Sequence, residues 1–548
     1  MFKKYLKLLS YIGPYKKRRL SIIILSSISM IINCFLPFLI GELVNMINSS
    51  NPVKEIIDFG WKAGVVAIVA ALLESLQYCN WHMYAVEFIN YFRGLTLKAA
   101  LNKDISYYRM KQEDFSTRIL LDSSTIANDI CVGFPVLILN VANLLVVFGF
   151  MLYMNVKLAL IPLIAVPVFV MLFHFLDKGI REKSKSERRQ FSELSELIKE
   201  YLDGIFDIKI NRNEEYFQNK FNNEIKDYSS TEKKIKLYTA LSYGVNMIVK
   251  NLLPISVLLY GVVLVSKGEL EIGYLFAFYT YLGFLYEPMS NLVDWYTLIN
   301  VSLGMSDRVL EFLETEEEES HGIKVDSIES IEVKNLQFSY NGEDQILESI
   351  DFSLNKGDIL AVVGPSGSGK STLIEILLKI WDEYKGSIKV NGIELKEIDK
   401  TTFYDEVAVL EQEPFIFTGS IEDNIVFDAQ KPNLNSIISH SNLNNIIKNK
   451  GGLHSKIFGG GKNLSGGEKQ RIALARVLFK RANLIFLDEF TSSLDLESEK
   501  EIVNSIGNLD RKDKIVILIT HRQYPLKLAN KILKLEGGTG ELVEKIVL

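Results

Sequence analysis

Along the first 300 residues the hydrophobic positions come in long, nearly unbroken runs, and beyond residue 330 in short runs parted by polar turns. A bilayer core takes about 20 mostly apolar residues per helix. Six segments meet that demand: 21–47, 59–81, 130–154, 156–176, 241–265 and 272–298. So few charges interrupt them that buried helices of a soluble protein are the poorer reading. The third and fourth are parted only by the Asn155-Val156-Lys157 turn. The connections 85–127 and 177–240 are long, charged and nearly free of proline. Their apolar residues recur at helical spacing, as in Phe191, Leu194, Leu197 and Ile198, then Tyr201, Leu202 and Ile205. This predicts transmembrane helices that continue far beyond the bilayer. Each excursion should turn at a short transverse segment, one near Ser106–Asp114 and one near Phe206–Asn213.

Basic residues set the orientation. Lys3, Lys4, Lys7 and Lys16-Lys17-Arg18-Arg19 place the N-terminus in the cytoplasm. The 48–58 loop, the Asn155 turn and the Ser266–Glu271 turn hold few Lys or Arg, so they face outside and the two long excursions face the cytosol. A cleavable signal peptide fits poorly, because the first run is long, lacks a small-residue cleavage site and is followed by more membrane-length runs. The net charge of −6 carries no nucleic-acid footprint. Cys34, Cys79 and Cys131 each lie in or beside an apolar run, which favours buried small hydrophobes over a disulfide framework. The acidic run Glu314-Thr315-Glu316-Glu317-Glu318-Glu319 reads as a solvated linker. The expected layout is a membrane domain over 1–313, an acidic linker over 314–328 and an α/β domain over 329–548.

The α/β half carries the chemistry. Gly364-Pro365-Ser366-Gly367-Ser368-Gly369-Lys370-Ser371 follows the apolar strand Ile359–Val363 and precedes a helix opening at Thr372. That is a phosphate-binding loop in its proper context: glycines turn backbone N–H groups to phosphate oxygens, and the helix adds its positive end. Lys370 would reach the outer phosphates and Ser371 would ligate Mg²⁺. The strand Leu484–Leu487 ends in Asp488 and Glu489. Asp488 is placed to hold Mg²⁺ through water, and Glu489 to polarise an attacking water, as in-line phosphoryl transfer requires.

Between the two lies Leu464-Ser465-Gly466-Gly467-Glu468-Lys469-Gln470-Arg471. This stretch, about twenty residues before the acidic strand, resembles the signature of ATP-binding cassette (ABC) transporters. The resemblance implies that Ser465, Gly466, Gly467 and Glu468 cap the γ-phosphate of ATP held on a partner's phosphate loop. It therefore implies a dimer, since this chain has one nucleotide domain. Other residues match the family in order: Tyr340 the adenine-stacking aromatic, Gln412 the glutamine linking Mg²⁺ to the membrane domain, Ser492-Ser493-Leu494-Asp495 the loop communicating across the dimer, and His521 the γ-phosphate contact. The whole chain looks like an exporter-type half-transporter, whose transverse segments are coupling helices that dock on the nucleotide domains. One departure is that the glutamate often found just before the signature is replaced by Gly459, which puts coupling through that side chain in doubt.

The expectation is a membrane α-helical domain with a C-terminal α/β ATPase that uses ATP and Mg²⁺. Its activity would be ATP hydrolysis coupled to export of an amphipathic compound (drug, lipid or peptide). Import by the same architecture, and an ATP-gated regulatory or channel protein, are the alternatives; intact catalytic motifs argue against the second. Intact motifs also favour a homodimer over a heterodimer. The multi-pass chain is placed in the plasma membrane with its nucleotide domain in the cytoplasm, and Lys-, Ile- and Asn-rich usage points to a bacterial source. Four titratable residues fall inside spans: Glu74, His174, Lys250 and Asp294, with Asn246, Asn251 and Asn291 near the last two. At about 1.5 Å per residue, Lys250 and Asp294 fall toward the cytoplasmic side, which suggests a polar vestibule opening there. Snorkelling or interhelical pairing is the plainer alternative for each. Pro254 and Pro288 interrupt spans five and six, and the aromatic-rich sixth span is read as packing against helices or lipid rather than lining a path.

Overall fold

The structure is a computed structural model. It describes residues 7–11, 13–48, 52–110, 115–314, 322–340, 342, 344–427, 434–491, 494–507 and 513–544, without the side chains of 48, 169–170, 172–178, 181, 185, 287, 289–290, 292–301, 303 and 544. Two units emerge: residues 1–101 with 113–315, and residues 102–112 with 316–548.

The first unit is helical throughout. Its elements are α1 (Lys16–Asn48) and α2 (Val53–Leu101), and, after the short α3 (Ile105–Met110) of the second unit, α4 (Phe115–Met154), α5 (Val156–Asp203), the short α6 (Ile205–Ile210), α7 (Glu214–Ser266) and α8 (Ile272–Leu313). The expected excursions are indeed continuations of membrane helices, and the transverse segments are the short α3 and α6; residues 111–114 lie outside the described ones. Four helices are long and apolar enough to cross a membrane, and the other two expected spans carry shorter apolar stretches among the described residues, Val156–Val168 and Ile272–Tyr286.

Helices α5 and α7 pack along each other, tied where Tyr228 donates to Glu187 Oε1 at 2.9 Å. The aromatics of α8 mostly bind neighbouring helices. Tyr281 donates to the Cys34 carbonyl at 2.7 Å, Tyr274 to Glu42 at 2.7 Å and Tyr286 to the Lys250 carbonyl at 3.2 Å. Buried tyrosines keep their hydroxyls satisfied this way while their rings fill the core. Pro254 and Pro288 sit inside continuous helices. Cys34 and Cys131 are buried as expected, but Cys79 is exposed. Near its start α4 contains two π-helical turns, Arg118–Asp122 and Asp129–Gly133. They aim polar groups at α8: Arg118 pairs with Glu311 at 3.4 Å, Asp122 with Arg308 at 2.9 Å, and Asp129 accepts from Ser302.

The second unit is built on a sheet of ten strands. In chain order they are β1 (Ser330–Phe338), β2 (Leu347–Asn355), β3 (Ile359–Val363), β4 (Lys385–Val390), β5 (Ile393–Glu394), β6 (Val407–Leu410), β7 (Leu484–Asp488), β8 (Ile515–Ile519), β9 (Lys531–Glu536) and β10 (Thr539–Glu544). Their spatial order is β5-β4-β1-β2-β10-β9-β3-β8-β7-β6. Strands β9, β3, β8, β7 and β6 are parallel neighbours, and the β1, β2 and β4 group is antiparallel. The parallel strands β3, β7 and β8 are apolar along nearly their whole length, as burial on both faces demands.

Candidate active site

Three adjacent parallel strands deliver the main residues at their C-terminal ends, where open α/β sheets place their ligand crevices. Val362 pairs with Ile519, and Ile519 with Asp488, so these three form one row. The residues just past that row are Gly364, His521 and Glu489. The pairing of Leu410 with Leu487 extends the row to β6 and brings Gln412 level with Glu489. The side chains then meet: Gln412 Nε2 donates to Glu489 Oε2 at 2.9 Å, and His521 Nε2 lies 3.4 Å from Glu489 Oε1. Glu489 itself has φ +38°, and its N–H donates to the Ile519 carbonyl at 3.0 Å. Such a conformation costs a non-glycine residue about 1–3 kcal/mol, a strain typical of functional positions.

The glycine-rich loop joins β3 to the helix α9 (Lys370–Leu377). A Cβ on Gly364 would come within 2.3 Å of the Leu535 carbonyl oxygen, and Gly369 enters α9 with φ +91°. Both positions require glycine for backbone reasons. Lys370 is buried, its ammonium donating to the Gly364 and Pro365 carbonyls at 2.9 and 2.8 Å. The Ser368 hydroxyl is buried in the loop with no hydrogen-bond partner among the described residues. A polar atom left so is costly unless a ligand meets it, and a phosphate oxygen would. Burial pushes the Asp488 carboxyl above its ordinary range, and the charges of Glu489 and Glu411 add to this while Lys370 opposes it. Ser371 and Asp488 line one cleft. A hydroxyl beside a crowded, electron-rich carboxyl is an oxygen donor set that suits Mg²⁺.

Tyr340 is 45% exposed, with Phe338 and Trp381 packed edge-on at 5.0 and 5.2 Å. Its hydroxyl is 3.2 Å from Thr372 Oγ1 and donates to Glu375 at 3.2 Å. The hydroxyl is thus anchored to α9 while much of the side chain stays accessible, as stacking on a base requires.

The signature lies elsewhere in the unit. Ser465 caps the helix α10 (Gly466–Lys480) in a capping box: Ser465 Oγ accepts from the Glu468 N–H at 3.2 Å, and Glu468 Oε2 from the Ser465 N–H at 2.7 Å. The N–H groups of Gly466 and Gly467 fall in the first turn, where a helix has no carbonyl to offer them. Ser465, Gly466, Gly467, Glu468 and Asp495 line a cleft of about 770 Å³ whose described lining includes no residue of Gly364–Ser371, nor Glu489, nor His521. Asp495 accepts from the Ser498 N–H at 3.4 Å, and its bonds to Ser498 hold its carboxyl below the ordinary range. Ser492 and Ser493 lie outside the described residues.

Several supporting residues escape a reading of motifs. Arg522, next to His521, donates to the Leu494 carbonyl at 3.1 Å and to the buried Glu499 at 3.0 Å, tying the His521 loop to the Asp495 loop. Arg476 of α10 donates to the Asn424 and Phe415 carbonyls at 2.9 and 3.2 Å, bracing the segment after Gln412. Glu375 is the one acid of an otherwise largely apolar α9, a signal visible in the sequence. It accepts from Tyr340 and from Trp381, the latter at 2.8 Å, and faces Arg109 of α3 at 3.6 Å. Asp104, just ahead of α3, forms an ion pair with Lys400. Gly459 opens the short turn Gly459–Gly461, beside an exposed Phe458.

Of the titratable residues inside the predicted spans, Glu74 lines a cavity of about 650 Å³ in the first unit, together with Asn291. Lys250, Asn246 and Asn251 do not line it; Lys250 is exposed on another face of the bundle. The side chains of His174 and Asp294 lie outside the described ones.

Residues 20–289 match the family model of the ABC transporter transmembrane region, and residues 347–492 that of the ABC transporter. A putative multidrug export ATP-binding/permease protein of Bacillus subtilis, YgaD, is 26% identical, with 98% of this chain and 95% of the relative covered. The mitochondrial ATP-binding cassette sub-family B member 10 of Mus musculus is 25% identical, with 97% of this chain and 77% of that protein covered. The solved structure of a bacterial Atm1-family ABC exporter with ATP bound superposes with a TM-score of 0.82 at 20% identity, covering 97% of this chain and 95% of the other.

Proposed function

The chain belongs to the ABC transporters, with an exporter-type membrane region and an ATPase fused in one polypeptide, and on that premise we propose that two identical copies hydrolyse ATP at shared sites to export an amphipathic compound. It is an ATPase coupled to transport, and a half-transporter of this kind works as a dimer. The names of relatives such as the multidrug export protein of Bacillus subtilis support the export direction. Intact motifs around Lys370, Ser465 and Glu489 support a homodimer, and the bacterial relative supports a plasma-membrane location.

One observation carries the reading: the cleft lined by Ser465, Gly466, Gly467 and Glu468 includes no described residue of the phosphate loop Gly364–Ser371, nor Glu489, nor His521. The signature of one copy therefore completes the ATP site of the other in this reading. In the assembled site, Lys370 and the loop N–H groups of Gly364–Ser371 hold the phosphates, and Tyr340 stacks on the adenine. Ser465, Gly466 and Gly467 of the other copy close over the γ-phosphate. Mg²⁺, held by Ser371, Gln412 and Asp488, would supply neutralisation of phosphate charge. Glu489 takes up the proton of the attacking water, with Gln412 and His521 holding its carboxylate in place from either side. Glu489→Gln should lower steady-state ATPase by about 10²-fold or more, the usual worth of a general base, with ATP binding retained. Undiminished turnover would contradict the assignment.

A further inference from the structure

The cavity of about 650 Å³ in the first unit is polar, although it lies among helices built to cross a membrane. Its polar residues recur at helical spacing: Ser26, Ser29 and Asn33 on α1, Glu74 and Gln77 on α2, and Asn140 and Asn143 on α4. Several neighbouring helices therefore turn one polar stripe each toward the same space. Polar side chains inside a span are expensive and are kept where they face a cavity or partner. Glu74 carries the one charge among the described lining residues, with neither Lys nor Arg beside it. The Ser29 hydroxyl is buried there with no hydrogen-bond partner among the described residues.

We propose that this cavity is the cargo site and that it takes a drug-sized organic cation bearing hydrogen-bonding groups, with the Glu74 carboxylate as counter-ion. As a cargo site it rests on the export reading above; as a binding site it stands on the lining alone. The volume falls in the range of small-molecule sites, about 300–1,000 Å³. Glu74 is exposed where it lines this space, and its carboxylate gives the cavity a negative potential that attracts a cation. The rings of Tyr78 and Phe284 border the same space and favour positive charge on their faces. The amides of Gln77, Asn140 and Asn143 offer both donors and acceptors. An anion would meet Glu74 with no described basic partner, and a plain hydrocarbon would leave these polar groups unpaired. About one turn further along α1 and two to three turns further along α4, Phe35, Phe38, Phe150 and Tyr153 line an apolar cleft of about 480 Å³, a place for the apolar body of the same molecule.

The test uses the full-length protein in lipid nanodiscs, with empty nanodiscs as the blank. Ethidium, an amphipathic cation with two amino groups, is titrated by fluorescence polarisation against carboxyfluorescein, an anion of similar bulk. Saturable binding of ethidium but not carboxyfluorescein is expected, weakened at least about tenfold in Glu74→Gln and largely kept in Glu74→Asp. Equal binding of both dyes, no binding of ethidium, or full binding by Glu74→Gln overturns the proposal. Should Glu74→Gln not elute as a folded protein, the two-dye comparison on the unaltered chain decides. ATP-driven uptake of ethidium into inside-out vesicles is read in parallel. Glu74-dependent binding without uptake sinks the export reading and supports the site; uptake indifferent to Glu74 supports export and sinks the site.

Discussion

Glu489 is held from three directions, by Gln412, by His521 and through its own N–H to Ile519. The residues proposed for the chemistry could be picked from sequence because phosphoryl transfer needs particular groups at particular offsets from a strand end. The residues that steady them could not. Arg522, Glu499 and Arg476 act through contacts between segments far apart in sequence, and no spacing announces such contacts. Asp358 is a further case. Burial raises its carboxyl, but the Asn355 N–H, Lys531 at 2.9 Å and Asn530 at 3.0 Å together bring it below its ordinary value. A lowered folded value means that the stabilisation is present above the unfolded value, near pH 4, and is lost as the pH falls through the folded one. Asp358→Asn should therefore destabilise the ATPase unit by about 1–3 kcal/mol at pH 7, with the difference from the unaltered chain shrinking below pH about 4. A melting difference independent of pH would contradict this account of the pair.

Among the elements, the long helices and their excursions followed directly from apolar run length and helical spacing. The transverse segments followed from the need of each excursion to turn; the second is Ile205–Ile210 rather than Phe206–Asn213, and the end of the first lies outside the described residues. Helix α3 is six residues long, too short to hold its shape alone. Ion pairs at Asp104 and Arg109 tie it to the ATPase domain's residues Lys400 and Glu375, and charge pairing across some 300 residues of sequence cannot be read from local pattern. The two pairs differ in weight. The Lys400 side chain is 12% exposed, whereas Arg109 is 54% exposed, and solvent-exposed pairs contribute about 0–1 kcal/mol. Lys400→Glu should thus cut vesicle transport much more than ATP hydrolysis, and more than Arg109→Glu does. Exchange of the charges in Asp104→Lys with Lys400→Asp should restore part of the transport. Equal losses from both single changes would contradict the ranking. The polar vestibule shows the limit of one-dimensional reading. Sequence marked Glu74 and Lys250 alike as charges inside spans, but only a three-dimensional arrangement tells that Glu74 faces a shared cavity and Lys250 does not.

At the scale of the whole molecule, the chain carries one phosphate loop and one signature, and the described lining of the signature's cleft includes no residue of that loop. The fused architecture and the sheet that orders these parts were legible from motif order along the chain. The need for a second copy came from the resemblance, and the absence of the loop from the signature's described cleft agrees with it. The most direct test is complementation. One chain carries Lys370→Ala, the other Gly466→Asp, and each alone forms dimers in which both shared sites are broken. In a mixed dimer the Gly466→Asp chain supplies an intact phosphate loop, and the Lys370→Ala chain supplies the intact signature that faces it. Co-expression at equal levels should therefore restore ATPase to about one quarter of the unaltered value, the share of intact sites under random pairing in a twofold dimer. Activity no higher than that of either parent would contradict shared sites.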